Sequence, residues 1–369
     1  IAEHYTKLFF DDLSALNIET PEIVCKATEH IKEMLEYVEK LMENGYAYET
    51  STAIYFDISK LDKYPVLSNR NLDDQIAGAR VEVDPEKRNP HDFAVWIKAP
   101  ENHLMKWDSP WGPSYPGWHI ECSVMSQKYL GEVFDIHTGG IDLIPTHHEN
   151  EIAQSKGMCG KIPANYWMHG EFLLINGGKM SKSLGNVYLL QDIVDRGYDP
   201  LVYKLFCYSI QYRKKLNFTW EGMDSAKIAL DRLREAYQKH LTGTEDVAEE
   251  LISKYEKDFN EAINDDLNMP VAMSVVWEIA RNAKKSIKFA DLLLKKLAEL
   301  LKKFDRVLGI KIDEHKEEEI PDDIKELLTK RAEARKNKDW AESDKIRDII
   351  KEKGYIVKDS KEGQTVEKI

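Results

Sequence analysis

A change of period near residue 225 limits what this chain can fold into. Between about 106 and 200, strand-like and helical runs alternate, the pattern of a parallel α/β sheet. Beyond about 225, apolar residues recur almost wholly at helical spacing, over 226–237, 249–262, 271–289 and 292–308. Asp265-Asp266-Leu267-Asn268 followed by Pro270 marks a turn between two of these helices and the start of the next. Upstream, Thr28 begins an amphipathic helix with Ile31, Met34, Leu35, Val38, Leu41 and Met42 on its apolar side, ending near Gly45. Alternation over residues 54–58 suggests a strand. The expected class is therefore α/β followed by a helical bundle.

Two constellations carry chemistry. Lys179-Met180-Ser181-Lys182-Ser183, preceded by Gly177-Gly178, sets two lysines among small hydroxyl residues on a glycine-rich loop. Such a loop suits a flap that closes over a polyphosphate and meets charge developing in the transition state. By itself it also reads as a solvated surface loop. Upstream, Cys122 lies in Gly117-Trp118-His119-Ile120-Glu121-Cys122, and His147 and Glu151 lie in His147-His148-Glu149-Asn150-Glu151. His147 and Glu151 are four apart, so on a helix they share a face. A thiolate, an imidazole and a carboxylate form a plausible zinc set with room for a substrate ligand. A buried cysteine beside a polar surface helix is the alternative at this point.

Together these features resemble the cysteinyl-tRNA synthetases, a family of class I aminoacyl-tRNA synthetases. The resemblance extends through Gly78-Ala79-Arg80-Val81-Glu82-Val83, Lys87-Arg88-Asn89-Pro90, Ser109-Pro110-Trp111-Gly112, residues 134–143 and Tyr166-Trp167-Met168-His169. It implies a Rossmann-like catalytic domain carrying a connective insertion, then a helical tRNA-binding domain and a small α+β domain. The implied activity is ATP-dependent ligation of L-cysteine to tRNA(Cys), with Zn2+ recognising the substrate thiolate and Mg2+ accompanying ATP. By resemblance, Cys122, His147 and Glu151 are zinc ligands, Lys182 contacts the ATP phosphates and Lys179 assists. Gly139, Gly140 and Asp142 follow a strand-like run and belong to the ATP site, with Asp142 at the ribose. Trp118 lines the cysteine pocket, with a core tryptophan as the alternative.

The same resemblance divides the chain. Residues 1–24 end the first nucleotide-binding half and 25–105 are the insertion. Residues 106–225 hold the second half with the lysine loop, 226–320 the helical bundle and 321–369 the small domain. The family's histidine-glycine-histidine signature and fourth zinc ligand do not occur in this sequence, and Cys25 does not match the latter. An N-terminally shortened synthetase is the expectation. An inactive tRNA-binding fragment and a cysteine ligase of thiol biosynthesis are the alternatives. The family's closing tryptophan is replaced by Thr365-Val366-Glu367-Lys368-Ile369, so no base can stack there.

Composition is compatible with this reading. Four scattered cysteines exclude a disulfide framework and fit a reducing compartment, hence an expected cytoplasmic location. No apolar run is long enough to span a bilayer. The formal charge of −13 argues against broad nucleic-acid binding but leaves room for a local basic face. A monomer is expected.

Overall fold

The computed structural model describes residues 1–68, 84–241, 249–285, 293–314, 321–360 and 363–368. The run Gly78 to Val83, the acidic triplet Glu317-Glu318-Glu319, the helical stretch 286–292 and Glu362 lie outside the described residues. Two compact units are present, Ile1–Asp313 and Glu314–Ile369.

The first unit opens with α1 (Ala2–Ala15), which buries none of its residues. Helix α2 (Ile31–Glu43) buries Met34, Tyr37, Val38 and Leu41, on the face that their spacing requires. Strands β1 (Ala47–Glu49), β2 (Ala53–Phe56), β3 (Phe93–Lys98) and β4 (Ser114–Pro116) form an antiparallel sheet in that order. The strand expected over 54–58 is present as β2, which ends at Phe56 and has no exposed face. All four residues of β2 are buried, and Asp57 instead caps a short 3-10 turn, accepting from the Ser59 amide at 3.1 Å. Both faces of β2 are covered because α2 lies on one side and β1 and β3 carry aromatic rings around it.

Helix α3 (Ile120–Leu130) leads to β5 (Phe134–Gly140), and α4 (Glu149–Cys159) connects β5 to its parallel neighbour β6 (Ala164–Gly170). Ile120 and Val124 of α3 and Ala153 of α4 join the same core as α2, β2 and β3. The sheet therefore buttresses the two helices that carry the candidate ligands.

Strands β7 (Leu173–Ile175) and β8 (Gly178–Lys179) form a hairpin, followed by α5 (Leu190–Asp195), α6 (Pro200–Cys207) and β9 (Leu216–Phe218). This second sheet has the order β8-β7-β9, with β7 and β9 parallel. The parallel α/β pattern is thus present as two separate parallel pairs among the described residues. Helices α7 (Trp220–Leu241), α8 (Glu249–Asn264), α9 (Met269–Lys285) and α10 (Leu293–Leu308) follow. Leu297, Leu301, Phe304 and Leu308 of α10 repeat at three- and four-residue intervals and are buried against α7, α8 and α9. The Phe259 and Phe304 rings stack with centroids 3.9 Å apart.

The second unit pairs α11 (Asp322–Lys336) with α12 (Trp340–Glu352) and closes with a hairpin of β10 (Tyr355–Ser360) and β11 (Gly363–Lys368). Arg331 is 1% exposed and donates bidentately to Asp359 at 2.8 and 2.9 Å and to Gln364 at 2.6 Å. Arg331→Ala should destabilise this unit by about 3 kcal/mol, since it removes charge-assisted bonds from a buried position. Hydrogen exchange of the β10 amides measures that loss; unchanged protection would contradict it. The Arg331 bond also holds the Asp359 carboxyl below the ordinary carboxylate range. Its contribution is present at neutral pH and disappears as the pH falls through that depressed value, below about pH 4. The Ala variant should lack this acid-sensitive component.

Candidate functional site

The candidate site forms where α3, the end of β5 and the start of α4 converge. One ligand atom each from Cys122, His147 and Glu151 lie within 4.8 Å of one another. The residues after β5 reach α4 through a 3-10 turn (Ile141–Leu143) and a π-helical turn (Ile144–His148). A π turn widens the helix locally, a feature that often marks functional positions. It delivers His147 and His148 to the entrance of α4, where residues 149–155 are all buried. The alternative of a polar surface helix is excluded.

Burial defines the chemistry here. His147 is 4% and Glu151 2% exposed, and Nε2 of His147 lies 2.8 Å from one carboxylate oxygen of Glu151. His137, on β5, approaches the other oxygen at 3.0 Å. Each carboxylate oxygen thus faces one imidazole nitrogen, Oε1 that of His147 and Oε2 that of His137. Burial pushes the Glu151 carboxyl up, but the facing imidazoles of His137 and His147 outweigh it and hold the group down at about 2. Burial pushes the Cys122 thiol up to about 12, with Glu151 and Glu121 adding to the effect. The thiol therefore ionises only against a strong positive charge, which a dication supplies.

Four further histidines surround the set. His119 Nδ1 lies 2.9 Å from His147 Nδ1, so one donates to the other and the far nitrogen of His147 is left facing Glu151. His148 Nδ1 makes the corresponding contact with His169 Nε2 at 2.8 Å. Burial lowers His119 and His148 to about 4, so both are neutral at pH 7. A second group of possible ligands, His137, His148 and Glu151, shares the same carboxylate. The residue-by-residue reading passed over His119, His137, His148 and His169. Their signal is density: with His147 they place five of the chain's 11 histidines between residues 119 and 169.

Trp118 is 60% exposed, which excludes a core tryptophan, and its ring lies 4.4 Å from that of His147. The preceding Gly117 packs closely on β3: a Cβ there would come within 3.0 Å of the Ala94 carbonyl carbon. Gly139 has the same character, since a Cβ would lie 2.8 Å from the His148 ring. Gly139 and Gly140 end β5 opposite His169 and Gly170 of β6. The exposed Asp142 follows in the 3-10 turn. Cys25 lies outside the ligand group, its thiol 3.5 Å from Met125 Sδ.

The lysine loop leaves β8 at Lys179. Asn186 closes it, accepting from the Ser181 amide at 2.8 Å and donating to the Lys179 carbonyl at 3.0 Å. Lys179 and Lys182 are exposed, and neither ammonium has a partner among the described residues.

Comparison with known proteins follows the same outline. The family model for the class I (C) tRNA synthetase catalytic domain matches residues 1–228. The DALR domain matches 258–313, and the cysteinyl-tRNA ligase anticodon binding domain matches 317–366. A cysteine–tRNA ligase of Treponema denticola is 44% identical over 391 residues, covering 97% of this chain and 78% of the relative. One from Burkholderia lata is 43% identical, covering 99% of this chain and 76% of the relative. A third, from Oenococcus oeni, is 40% identical, covering 100% and 81% respectively.

Proposed function

The chain belongs to the cysteine–tRNA ligases, and from that premise we propose how its residues divide the work. The enzyme activates L-cysteine with ATP to cysteinyl-adenylate and transfers the cysteinyl group to tRNA(Cys). The cysteine carboxylate attacks the α-phosphate and releases pyrophosphate; the terminal ribose hydroxyl of tRNA then attacks the activated carbonyl and releases AMP. Neither step needs a nucleophile from the protein, so positioning and charge stabilisation dominate.

Cys122, His147 and Glu151 would hold a zinc ion, and the observation that carries this is the convergence of one ligand atom from each within 4.8 Å, with His147 and Glu151 buried. A zinc ion there supplies a soft Lewis acid that a thiolate ligates much better than a hydroxyl does. The chain's own residues set the geometry. His119 fixes the His147 ring through Nδ1, and Trp118 roofs that ring and bounds the space for a small side chain. The glycine-ended β5 lets nucleotide approach the backbone, with Asp142 accepting from a ribose hydroxyl. Lys182, assisted by Lys179, acts as a movable charge on the phosphates of ATP, which arrives with Mg2+. The insertion, bundle and small-domain boundaries given above belong to this same proposal, as does a cytoplasmic location, which four free cysteines favour.

Cysteine-dependent exchange of pyrophosphate into ATP tests the assignment. Exchange with L-cysteine and none with L-serine is expected; equal rates would contradict it. A cysteine ligase of thiol biosynthesis has no use for the anticodon-binding domain that residues 317–366 match.

That domain offers a stacking group which the reading of the chain terminus did not assign. Trp340 is 58% exposed, with the Arg335 guanidinium 5.8 Å from its ring. An exposed aromatic beside a cation suits an unpaired base. Trp340→Ala should weaken tRNA binding by about 1–3 kcal/mol while leaving cysteine-dependent pyrophosphate exchange intact. An unchanged KM for tRNA would remove the role.

A further inference from the structure

We propose that Asp266, on the turn between α8 and α9, is a positioning residue that ties the helical bundle to the lysine loop; the inference rests on the reading of that loop given above. Asp266 and Leu267 both have φ of +53°, the left-handed region that favours glycine. Aspartate tolerates it and leucine does not, so two such residues in sequence need an external grip. The grip is unusually complete. The Asp266 carboxylate accepts from Arg213 Nε at 2.5 Å and Nη2 at 3.2 Å, from Tyr212 Oη at 2.6 Å and from Gln211 Nε2 at 3.2 Å. Gln211 Nε2 also reaches the Asp266 carbonyl at 3.2 Å.

Three consecutive side chains thus converge on one carboxylate, and what they secure is the entry to β9. From Arg213 the chain runs through Lys214 and Lys215 into that strand. Strand β9 pairs with β7, and β7 pairs with β8, on which Lys179 stands opposite Leu174. Strand β9 also holds the hairpin's tip directly. The Asn176 amide donates to the Phe218 carbonyl at 3.0 Å, and the Gly177 amide donates to the Asn217 side chain at 2.6 Å. Past Phe218 the chain enters α7, so the bundle holds β9 at both ends: by chain continuity at one and by Asp266 at the other.

Apolar packing joins the strands to the bundle at one end, where Ile175 of β7 and Phe218 of β9 share a buried core with Met223 and Leu230 of α7. Nearer Asp266 lies a groove of about 530 Å³, lined among others by Leu173, Tyr203, Leu216, Ile263 and Met269. At that end the polar contacts of Asp266 help to fix the register of β9 against the bundle. Asp266 and Arg213 are exposed, and exposed pairs add little to global stability. The clamp therefore governs where the hairpin sits more than whether the protein folds.

Asp266→Asn tests this, because asparagine keeps the tolerance for positive φ and loses the charge. The expected result is faster amide exchange over residues 173–179 and 216–218, by about 10-fold, with β5 and β6 unchanged. In pyrophosphate exchange the KM for ATP should rise several-fold while the KM for cysteine and the zinc content stay at the parent values. Arg213→Lys, which keeps the charge but loses the fork, should give a smaller change in the same direction. Faster exchange confined to 211–213, with 173–179 at the parent rate, would overturn the proposal. Failure of the lysine-loop reading is separable: Lys182→Ala would then be silent in pyrophosphate exchange while the hairpin still responded to Asp266→Asn.

Discussion

Replacing Cys122 by serine should empty the metal site. The expected result is a fall in bound zinc from about one per chain to a small fraction, with discrimination between cysteine and serine weakened in whatever activation remains. The magnitude follows from the donor set. In the metal-free protein burial holds the Cys122 thiol at about 12, so the thiolate forms only as a metal ligand, and metal binding and deprotonation are one event. A serine hydroxyl is a harder donor with a much higher pKa and does not ionise in its place. Losing a group that merely hydrogen-bonds to a ligand changes metal affinity by about 10–100-fold, and loss of a direct ligand exceeds that. The two remaining donors, His147 and Glu151, already face each other at 2.8 Å and can pair without a metal. Full zinc occupancy in Cys122→Ser would remove Cys122 from the ligand set.

Lys182→Ala should act at the opposite end of the chemistry. Adenylate formation is expected to fall by about 100- to 1000-fold, the scale of losing one preorganised charge or donor in a transition state. Zinc content should not change. An unpartnered, exposed ammonium has no evident structural duty, so the loss should appear in kcat for pyrophosphate exchange with little change in stability. Lys182→Arg should recover part of the rate, because charge is restored while the point-like ammonium is not. Exchange at the parent rate in the alanine variant would end the role assigned to Lys182.

The site was partly legible in the sequence because two of its ligands obey a local rule. His147 and Glu151 lie four apart, and helical geometry alone sets them on one face. The lysine loop was legible for a similar reason, its glycines and lysines being contiguous. The helical bundle followed from apolar periodicity, and the turn at Asp265–Pro270 from its proline. Contacts made across long stretches of chain left no such trace. The pairing of His119 with His147, of His148 with His169 and of Asp266 with Arg213 joins residues 21 to 53 positions apart. β4 was missed because Ser114-Tyr115-Pro116 is too short to show a period, and its place is set by β3 and the bond from Trp96 to Ser114. The strand read over 54–58 is present, but β2 is covered on both faces, which removes the polar side that alternation presumes. Exposure of Trp118 is a tertiary fact that no local period announces.

Metal substitution tests the central claim most directly, that the Cys122–His147–Glu151 set presents a metal to the thiol of the amino-acid substrate. Cobalt(II) is exchanged into the protein, and thiolate-to-metal charge-transfer absorption is followed as L-cysteine or L-serine is added without ATP or tRNA. The account predicts an increase in that absorption, saturating at about one cysteine per metal, and no change with serine. A spectrum indifferent to cysteine, or one that responds equally to serine, would contradict it.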